Sequence, residues 1–410
     1  MTEQQGSSAA AMFEGVKVLE VAEWTLVPAA AAVLAEFGAD VIKVERPRGG
    51  DMQRGLSVAG VNPVIDGVAL QMEQTNFGGK RSIGIDVRSE EGRALILRLA
   101  AQADVFLTSL LPKTRDKVGL DYESVKAANP RIVYASGMGY GSEGADADQG
   151  GYDMTAYWCR SGIGYALTAA DAPTTAKMRP AMGDKLGSMN LVAGIASALF
   201  RRERTGEGAN VEVSLMGTAM WQISSDIVYS KALDRENSRE ARGRNPLVDY
   251  YETADHRWIV IALLESDRWW PAFAELAGLT ELLDDPRFVD HHARTEHHEE
   301  CREIVAATVR GRPYAEWVER FTGFGGPWAP LQSPREVADD PQALANGYMS
   351  DLTAANGTTI RMVPAPITID GSHGRLDPCP EAGANTEEIL LEFGADWEEI
   401  IRLKDAGVIT

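Results

Sequence analysis

Short apolar segments alternate with helical segments along the first half of the chain. Residues 16–22 predict a strand, the Ala-rich residues 28–37 a helix, and Asp40–Glu45 the next strand. The alternation continues with predicted strands at 82–87, 104–107 and 131–135 and predicted helices at 90–102 and 122–128. This order is typical of a parallel sheet with helices on its faces. We therefore predict an α/β fold whose functional residues lie beyond the carboxyl ends of the strands, in the loops 45–54 and 139–152.

The pattern changes after the middle of the chain. A long apolar helix is predicted from about 188 to 204, and a strand from 210 to 214 returns to the sheet. A hairpin is predicted over residues 250–263, and helical segments up to 321 complete a smaller α+β unit. The last part of the chain predicts strand-like sequence at 360–369 and one helix from 386 to about 404.

Length and charge restrict the possible classes of protein. A chain of 410 residues is long enough for two domains. Its net charge of −20 argues against nucleic acid or an anionic membrane as a partner, because both would be repelled. No segment approaches the roughly 18 apolar residues of a membrane helix. The distant cysteines Cys159, Cys301 and Cys379 form no disulfide or zinc pattern, so we expect a cytoplasmic protein.

One carboxylate stands out as a candidate for chemistry. Asp184 lies in a Gly-rich segment just before the predicted helix that begins near 188. A carboxylate at the start of a helix can be a helix cap, a general base or a nucleophile, and the local sequence leaves all three open.

The histidines give a weaker signal. His291 and His298 are seven residues apart, which would place them on one face of one helix and could support a metal site. The surrounding residues 290–300 are almost all charged, so we favour a solvated helix face and predict no metal. No phosphate-binding P-loop, dinucleotide fingerprint or serine-hydrolase motif is present.

Two basic turns indicate an anionic ligand. Arg46 and Arg54 lie beside glycines after the second predicted strand, and Lys80 and Arg81 follow Gly78 and Gly79. Guanidinium and ammonium groups beside glycine backbone can hold phosphate oxygens. Together the turns predict a ligand with several separated phosphates.

Several segments, in this order, resemble the family III CoA-transferases, which include formyl-CoA transferase, carnitine CoA-transferase and α-methylacyl-CoA racemase. The matching motifs are residues 18–21 with Pro28, 38–45, 50–54, 80–83, Gly183 with Asp184, 204–208, 340–342 and 385–389. They extend over nearly the whole chain, from 16 to 409.

The resemblance implies a large Rossmann-like domain made from both chain ends, with a small domain between them, in an interlocked homodimer. On this basis we expect residues 1–225 and 331–410 to form the large CoA-binding domain, 226–249 a linker and 250–330 the small domain. The substrate would be an acyl-CoA, with coenzyme A on the large domain. By motif position, the resemblance assigns the adenosine end to Trp24, Thr25 and Leu26, a phosphate to Arg46, the adenine pocket to Ile85 and Arg88, and a further phosphate to Lys117.

The resemblance also gives Asp184 two possible roles. In the transferases the matching aspartate attacks the thioester, and an aspartyl anhydride and an aspartyl-CoA thioester follow. In the racemases it works with a His in a Gly-His-Asp element, which here reads Gly151, Tyr152 and Asp153. Because a tyrosine with a pKa near 10 is a poor proton acceptor at neutral pH, we expect transfer of CoA to a free carboxylic acid. The alternatives are a racemase or epimerase, and an acyl-CoA-binding protein without turnover.

Overall fold

The computed structural model describes residues 12–236 and 243–410. The chain divides into two compact units: the first combines the residues up to 239 with Ala345–Thr410, and the second comprises residues 240–344. Residues 237–242 of the predicted linker lie outside the described residues. No helix in the described part of the chain is long and apolar enough to cross a membrane.

Six parallel strands form the centre of the first unit. The strands of this unit are β1 Lys17–Val21, β2 Asp40–Glu45, β3 Val64–Ile65, β4 Val68–Ala69, β5 Arg81–Gly84, β6 Val105–Thr108, β7 Val133–Met138, β8 Ala209–Ser214, and in its C-terminal part β12 Ser350–Thr353 and β13 Thr359–Met362. The large sheet has the order β5-β2-β1-β6-β7-β8, and all its neighbours are parallel. The predicted α/β class with a parallel sheet is confirmed.

Helices cover both faces of this sheet. The helices of the first unit are α1 Leu26–Glu36, α2 Met52–Val58, α3 Leu70–Asn76, α4 Glu90–Ala100, α5 Pro112–Val118, α6 Tyr122–Ala128, α7 Ile163–Ala166, α8 Met182–Thr205, α9 Leu215–Gln222, α10 Ser224–Ala232, α17 Thr386–Glu392 and α18 Trp397–Asp405, with a π-helix at Asp153–Cys159. Every residue of α1 is buried, because its alanines allow close packing between the sheet and α8. A second apolar cluster fills the opposite face, where α4, α17 and α18 pack.

Two predicted helix boundaries were wrong. Helix α8 begins at Met182, six residues before the predicted start, so Asp184 lies inside its first turn. The predicted C-terminal helix is divided into α17 and α18, because Gly394 between them adopts a left-handed backbone with φ of 85°.

The second unit packs helices around an antiparallel sheet of β9 Val248–Glu252, β10 Trp258–Ala262 and β11 Trp328–Pro330. The β9–β10 pair confirms the predicted hairpin. The helices are α11 Ser266–Ala277, α12 His291–Glu296, α13 His298–Arg310, α14 Tyr314–Phe321, α15 Pro334–Val337 and α16 Pro341–Ala345, with a 3-10 turn at Thr280–Leu282.

His291 begins α12 and His298 begins α13, so the prediction that these two histidines share one helix face was wrong. The Nδ1 atom of His291 lies 2.9 Å from the Ser266 hydroxyl, and that of His298 lies 3.0 Å from the carbonyl oxygen of Thr295. Within residues 12–236 and 243–410, no group of three potential metal-ligating side chains occurs.

Candidate functional site

A cavity of about 370 Å³ opens at the carboxyl ends of β1, β2, β5 and β6. Successive strands are added on one side of β1 and then, from β6 onward, on the other, so the cavity lies where the strand order reverses. Crevices at such a reversal are the usual ligand sites of open parallel sheets. The lining residues are Val21, Ala22, Glu23, Trp24, Val44, Glu45, Arg46, Asp86, Val87, Arg88, Ser109, Leu110, Leu111, Thr114 and Val118.

Three of the sequence-predicted residues line this cavity: Trp24, Arg46 and Arg88. Arg88 is exposed and forms a two-pronged hydrogen bond to the carboxylate of Asp86. Arg46 pairs through its Nε with Glu23, 2.9 Å away. Burial raises the pKa of Glu23, and the guanidinium of Arg46 opposes that rise.

The backbone holds Trp24 in an unusual conformation. Its φ of 73° lies in the left-handed region, which is strained for a bulky side chain. Its N–H donates to Asp51 Oδ1 at 3.1 Å, and the same oxygen accepts from the N–H of Gln53 at the start of α2. Asp51 is itself fully buried and forms an ion pair of 2.9 Å with Lys43. A fixed internal carboxylate therefore supports the cavity wall at Trp24.

Four other predicted CoA-binding residues lie outside the cavity lining. Thr25 is buried and donates its hydroxyl to Gln53, and Ile85 is fully buried in the apolar cluster on the α17 side of the sheet. Leu26 begins α1 and packs closely against Gly187 of α8. Lys117 lies on the exposed side of α5.

The remaining basic candidates, Arg54, Lys80 and Arg81, form internal ion pairs. The guanidinium of Arg54 makes two hydrogen bonds of 2.8 Å to Glu45. Burial lowers the pKa of Arg54, but the hydrogen bonds and the charge of Glu45 outweigh burial and raise that pKa above its ordinary value, so the group stays a cation. Lys80 is buried and donates to Glu20 and to the carbonyl oxygen of Pro28, both at 2.7 Å. The carboxylates of Asp40 and Glu392 accept hydrogen bonds from Arg81.

These pairings argue against direct phosphate contacts from Arg54, Lys80 and Arg81. A buried cation that leaves its carboxylate partner would expose an uncompensated charge, which is costly. The basic residues of the two turns therefore differ in the contacts that they make in the folded protein. Only Arg46, at the cavity wall, combines a predicted phosphate role with an exposed guanidinium.

Asp184 does not cap its helix. Ala181 holds the N-cap position of α8, and no side chain forms a cap hydrogen bond there. Burial and, to a smaller extent, the nearby carboxylate of Asp153 raise the pKa of Asp184 to about 7, against the opposing effect of the Lys185 ammonium. No hydrogen bond from the described part of the chain reaches its carboxylate. Asp184 is therefore a partly enclosed carboxyl group whose charge is stabilised by few neighbours.

Asp153 lies at the entrance of the same helix. Burial raises its pKa, whereas the backbone N–H groups of Ala181, Met182 and Gly183 lower it. Its Oδ2 atom is buried without a hydrogen-bond partner in the described residues. The preceding Tyr152 is more than half exposed and holds the N-cap position of the π-helix, so Asp153 is the first residue of that helix and not its cap.

Sequence reasoning missed Glu23, Asp51 and Lys185 as parts of this site. Glu23 directly follows the first predicted strand, 16–22, and therefore lies beyond a carboxyl end of the sheet, where functional residues were expected. Lys185 follows the candidate nucleophile and donates to the carbonyl oxygen of Gln74 at 2.5 Å. Burial and the charge of Lys80 lower the Lys185 pKa to about 8. Asp51 belongs to the matching motif 50–54, but no local signal in the sequence shows that it accepts a hydrogen bond from the N–H of Trp24.

Comparison with known proteins gives consistent matches. Residues 13–386 match the family described as CoA-transferase family III. The chain is 30% identical to (R)-2-hydroxy-4-methylpentanoate CoA-transferase of Clostridioides difficile, over 97% of this chain and 99% of that protein. It is also 30% identical to cinnamoyl-CoA:phenyllactate CoA-transferase of Clostridium sporogenes, over 97% of each chain. A crystal structure of a CAIB/BAIF family protein from Brucella suis superposes with a TM-score of 0.79 at 28% identity, covering 94% of this chain and 100% of that one.

Proposed function

The chain belongs to CoA-transferase family III, and from this premise we propose that it moves CoA from an acyl-CoA to a free carboxylic acid with Asp184 as the nucleophile. The supporting observation is the enclosed carboxylate of Asp184 in the first turn of a 24-residue helix. Burial leaves this group poorly stabilised as an anion, which increases its reactivity toward an acyl carbonyl.

The proposed reaction runs through covalent intermediates on Asp184. A carboxylate oxygen attacks the thioester carbonyl, the C–S bond breaks, and a mixed anhydride and CoA thiolate form. The thiolate attacks the aspartyl carbonyl, which releases the first carboxylate and leaves an aspartyl-CoA thioester. The acceptor carboxylate then displaces the thiolate to form a second anhydride, and attack of the thiolate on the acceptor carbonyl gives the new acyl-CoA and free Asp184.

We propose that the cavity at the reversal of the strand order holds the nucleotide part of CoA. Arg46 and Arg88 supply cations at its wall, and Trp24 supplies an aromatic surface. The ring of Trp24 contacts that of Tyr152, next to Asp153. The predicted large domain, residues 1–225 and 331–410, would thus carry both CoA and the nucleophile.

The proposed assembly is an interlocked homodimer. Helices α9 and α10 expose apolar side chains, with Trp221 at 79% and Val228 and Tyr229 at 58% each, and a partner subunit would remove them from water. Light scattering after size-exclusion chromatography tests the dimer directly.

Three unpaired cysteines support the expected cytoplasmic location.

The experiment for the activity uses one acyl-CoA and an isotopically labelled carboxylic acid. We expect label in the CoA ester for the wild-type protein and none for Asp184→Ala, which still binds CoA. Transfer by Asp184→Ala would overturn the mechanism. Exchange of the α-proton without transfer would instead identify a racemase, and CoA binding without either reaction would identify a carrier.

A further inference from the structure

A carboxylate lies beside the candidate phosphate ligand at the wall of the cavity. Glu23 follows β1 and Arg46 follows β2, the neighbouring strand of the sheet. Their side chains are 34% and 45% exposed, and Glu23 Oε1 lies 2.9 Å from Arg46 Nε. Both residues line the cavity.

The contacts of Arg46 use only one part of its guanidinium group. Its Nε, the atom that faces Glu23, donates a hydrogen bond to the carbonyl oxygen of Gly50, at 3.0 Å. Neither terminal nitrogen donates a hydrogen bond to any residue among 12–236 and 243–410. Because the guanidinium is planar, the hydrogen bond to Gly50 and the ion pair with Glu23, both at Nε, restrict its plane and leave the edge with the two terminal nitrogens for a ligand.

We propose that Glu23 is a positioning residue that orients the Arg46 guanidinium toward the phosphates of the CoA substrate. This inference rests on the proposed function and extends it to a residue that has no role in the chemistry. A phosphate held by two parallel N–H groups requires the correct orientation of the fork, and a flexible arginine loses side-chain freedom on binding. An arginine already held by Glu23 and Gly50 loses less.

The other charged residues of the cavity do not have this arrangement. Arg88 donates through both Nε and Nη2 to Asp86, so its fork is already occupied. Glu45 is engaged by Arg54 and by the hydroxyl of Ser82. Of the two arginines in this cavity lining, Arg46 is thus the one whose two terminal nitrogens both lack a hydrogen bond to the described residues.

The test compares the KM for an acyl-CoA with that for the matching acyl-pantetheine, which has no phosphate. The variants are Glu23→Ala, Glu23→Gln, Arg46→Ala and the double variant Glu23→Ala with Arg46→Ala. Glu207→Ala is the matched control, because Glu207 forms an exposed ion pair of 3.0 Å with Arg201, and neither residue lines the cavity. Thermal unfolding and the affinity for CoA by calorimetry are measured in parallel.

We expect Glu23→Ala to raise the KM for acyl-CoA about threefold to fivefold, in the range of a partly exposed ion pair, with kcat unchanged. The KM for acyl-pantetheine stays at the wild-type value. Glu23→Gln retains most of the affinity, because its amide oxygen still accepts from Nε. In the Arg46→Ala background, Glu23→Ala has no further effect.

Three results would overturn the inference. An equal rise of KM for both substrates in Glu23→Ala would indicate a general structural role. An unchanged or lower KM for acyl-CoA would show that repulsion of phosphate outweighs the orientation of Arg46. A full additional loss in the double variant would show that Glu23 acts without Arg46. Failure of the wild-type protein to transfer CoA would contradict the proposed function instead, and the calorimetric affinities still test the role of Glu23.

Discussion

The rings of Trp24 and Tyr152 meet edge to face, with centroids 5.5 Å apart and an interplanar angle of 80°. Trp24 belongs to the cavity wall, and Tyr152 directly precedes Asp153, whose charge acts on Asp184. Aromatic pairs of this geometry contribute about 0.5–1.5 kcal/mol beyond the burial of their surface. The contact therefore links the position of the proposed nucleotide cavity to the loop beside Asp184.

This contact predicts that the rate of CoA transfer depends on the ring of Tyr152 and not on its hydroxyl group. We expect Tyr152→Phe to keep the transfer rate within about twofold of wild type, whereas Tyr152→Ala and Trp24→Ala each lower kcat/KM about tenfold, in line with the energy of the pair. Steady-state kinetics with acyl-CoA measure both effects. Trp397→Ala, at a tryptophan that is 58% exposed on α18, is the control.

A large loss of rate in Tyr152→Phe would contradict this prediction. It would show that the hydroxyl takes part in proton transfer, as in the racemase alternative. Measurement of α-proton exchange in the same variant separates the two cases.

The ion pairs predict that substitutions of Lys80 and Arg46 have different effects, although both residues belong to basic turns of the sequence. The first lowers stability and the second weakens CoA binding. Lys80→Met leaves the buried carboxylate of Glu20 with Lys43 as its remaining cation, so we expect a loss of about 3–5 kcal/mol of unfolding free energy. Arg46→Ala removes an exposed side chain and should change stability by less than about 1 kcal/mol while weakening CoA binding. Urea denaturation and calorimetry measure the two quantities. A stable Lys80→Met protein with weakened CoA binding would restore the phosphate role of Lys80.

The sheet was predictable because its signal is local. Strands such as β1 and β2 have apolar runs bounded by turns, and their parallel order follows from alternation with helices. The partners of charged residues are not local. Lys80 follows two glycines and Arg46 follows a strand end, but Lys80 meets the buried carboxylate of Glu20, sixty residues away, whereas Arg46 pairs with Glu23 at the partly exposed cavity wall. Sequence spacing contains no information about which carboxylate a lysine will reach after folding.

The candidate site shows the same difference between local and non-local signals. The local motif identified Asp184 as a candidate residue, whereas the surroundings of its carboxylate depend on where α8 begins. Gly183 allows the helix to start close to the ring of Tyr157, because a Cβ at this position would lie 2.4 Å from Tyr157 Cγ. That contact joins two segments separated by more than twenty residues, and α8 begins within the Gly-rich segment that precedes the predicted helix.

The close approach at Gly183 gives a third prediction. We expect Gly183→Ala to shift the first turn of α8 away from Tyr157 and to lower kcat at least about tenfold, because displacement of a catalytic group by about 1 Å is costly. Gly55→Ala in α2 is the matched control, since no atom lies within 4 Å of a Cβ there and alanine favours the helix. Single-turnover kinetics measure the chemical step. Wild-type kcat in Gly183→Ala would show that the turn tolerates the methyl group.

The raised pKa of Asp184 predicts the pH dependence of the reaction. Because attack requires the ionised carboxylate, we expect kcat/KM to rise with pH and level off above a midpoint near 7. Burial is the main cause of the raised pKa and the Asp153 charge is the second, so Asp153→Asn should move the midpoint to lower pH. A pH–rate profile of both proteins measures the shift. A midpoint that moves to higher pH in Asp153→Asn would contradict the repulsion between the two carboxylates.

The same raised pKa predicts that ionisation of Asp184 lowers the free energy of unfolding of the wild-type protein. The folded-state pKa of Asp184, about 7, lies above its ordinary value of 3.8, so between these pH values the folded protein retains a proton that the unfolded chain has lost. Stability therefore falls as pH rises through this window, and the full penalty of about 2–4 kcal/mol is present above pH 7. Asp184→Asn cannot ionise, so we expect it to unfold at a higher temperature than wild type at pH 8 and at nearly the same temperature at pH 4. Asp171→Asn, at an exposed position, is the control. Equal destabilisation of Asp184→Asn at both pH values would show that the carboxylate makes a native contact that stabilises α8, and it would remove the physical basis for a reactive, poorly solvated nucleophile at this position.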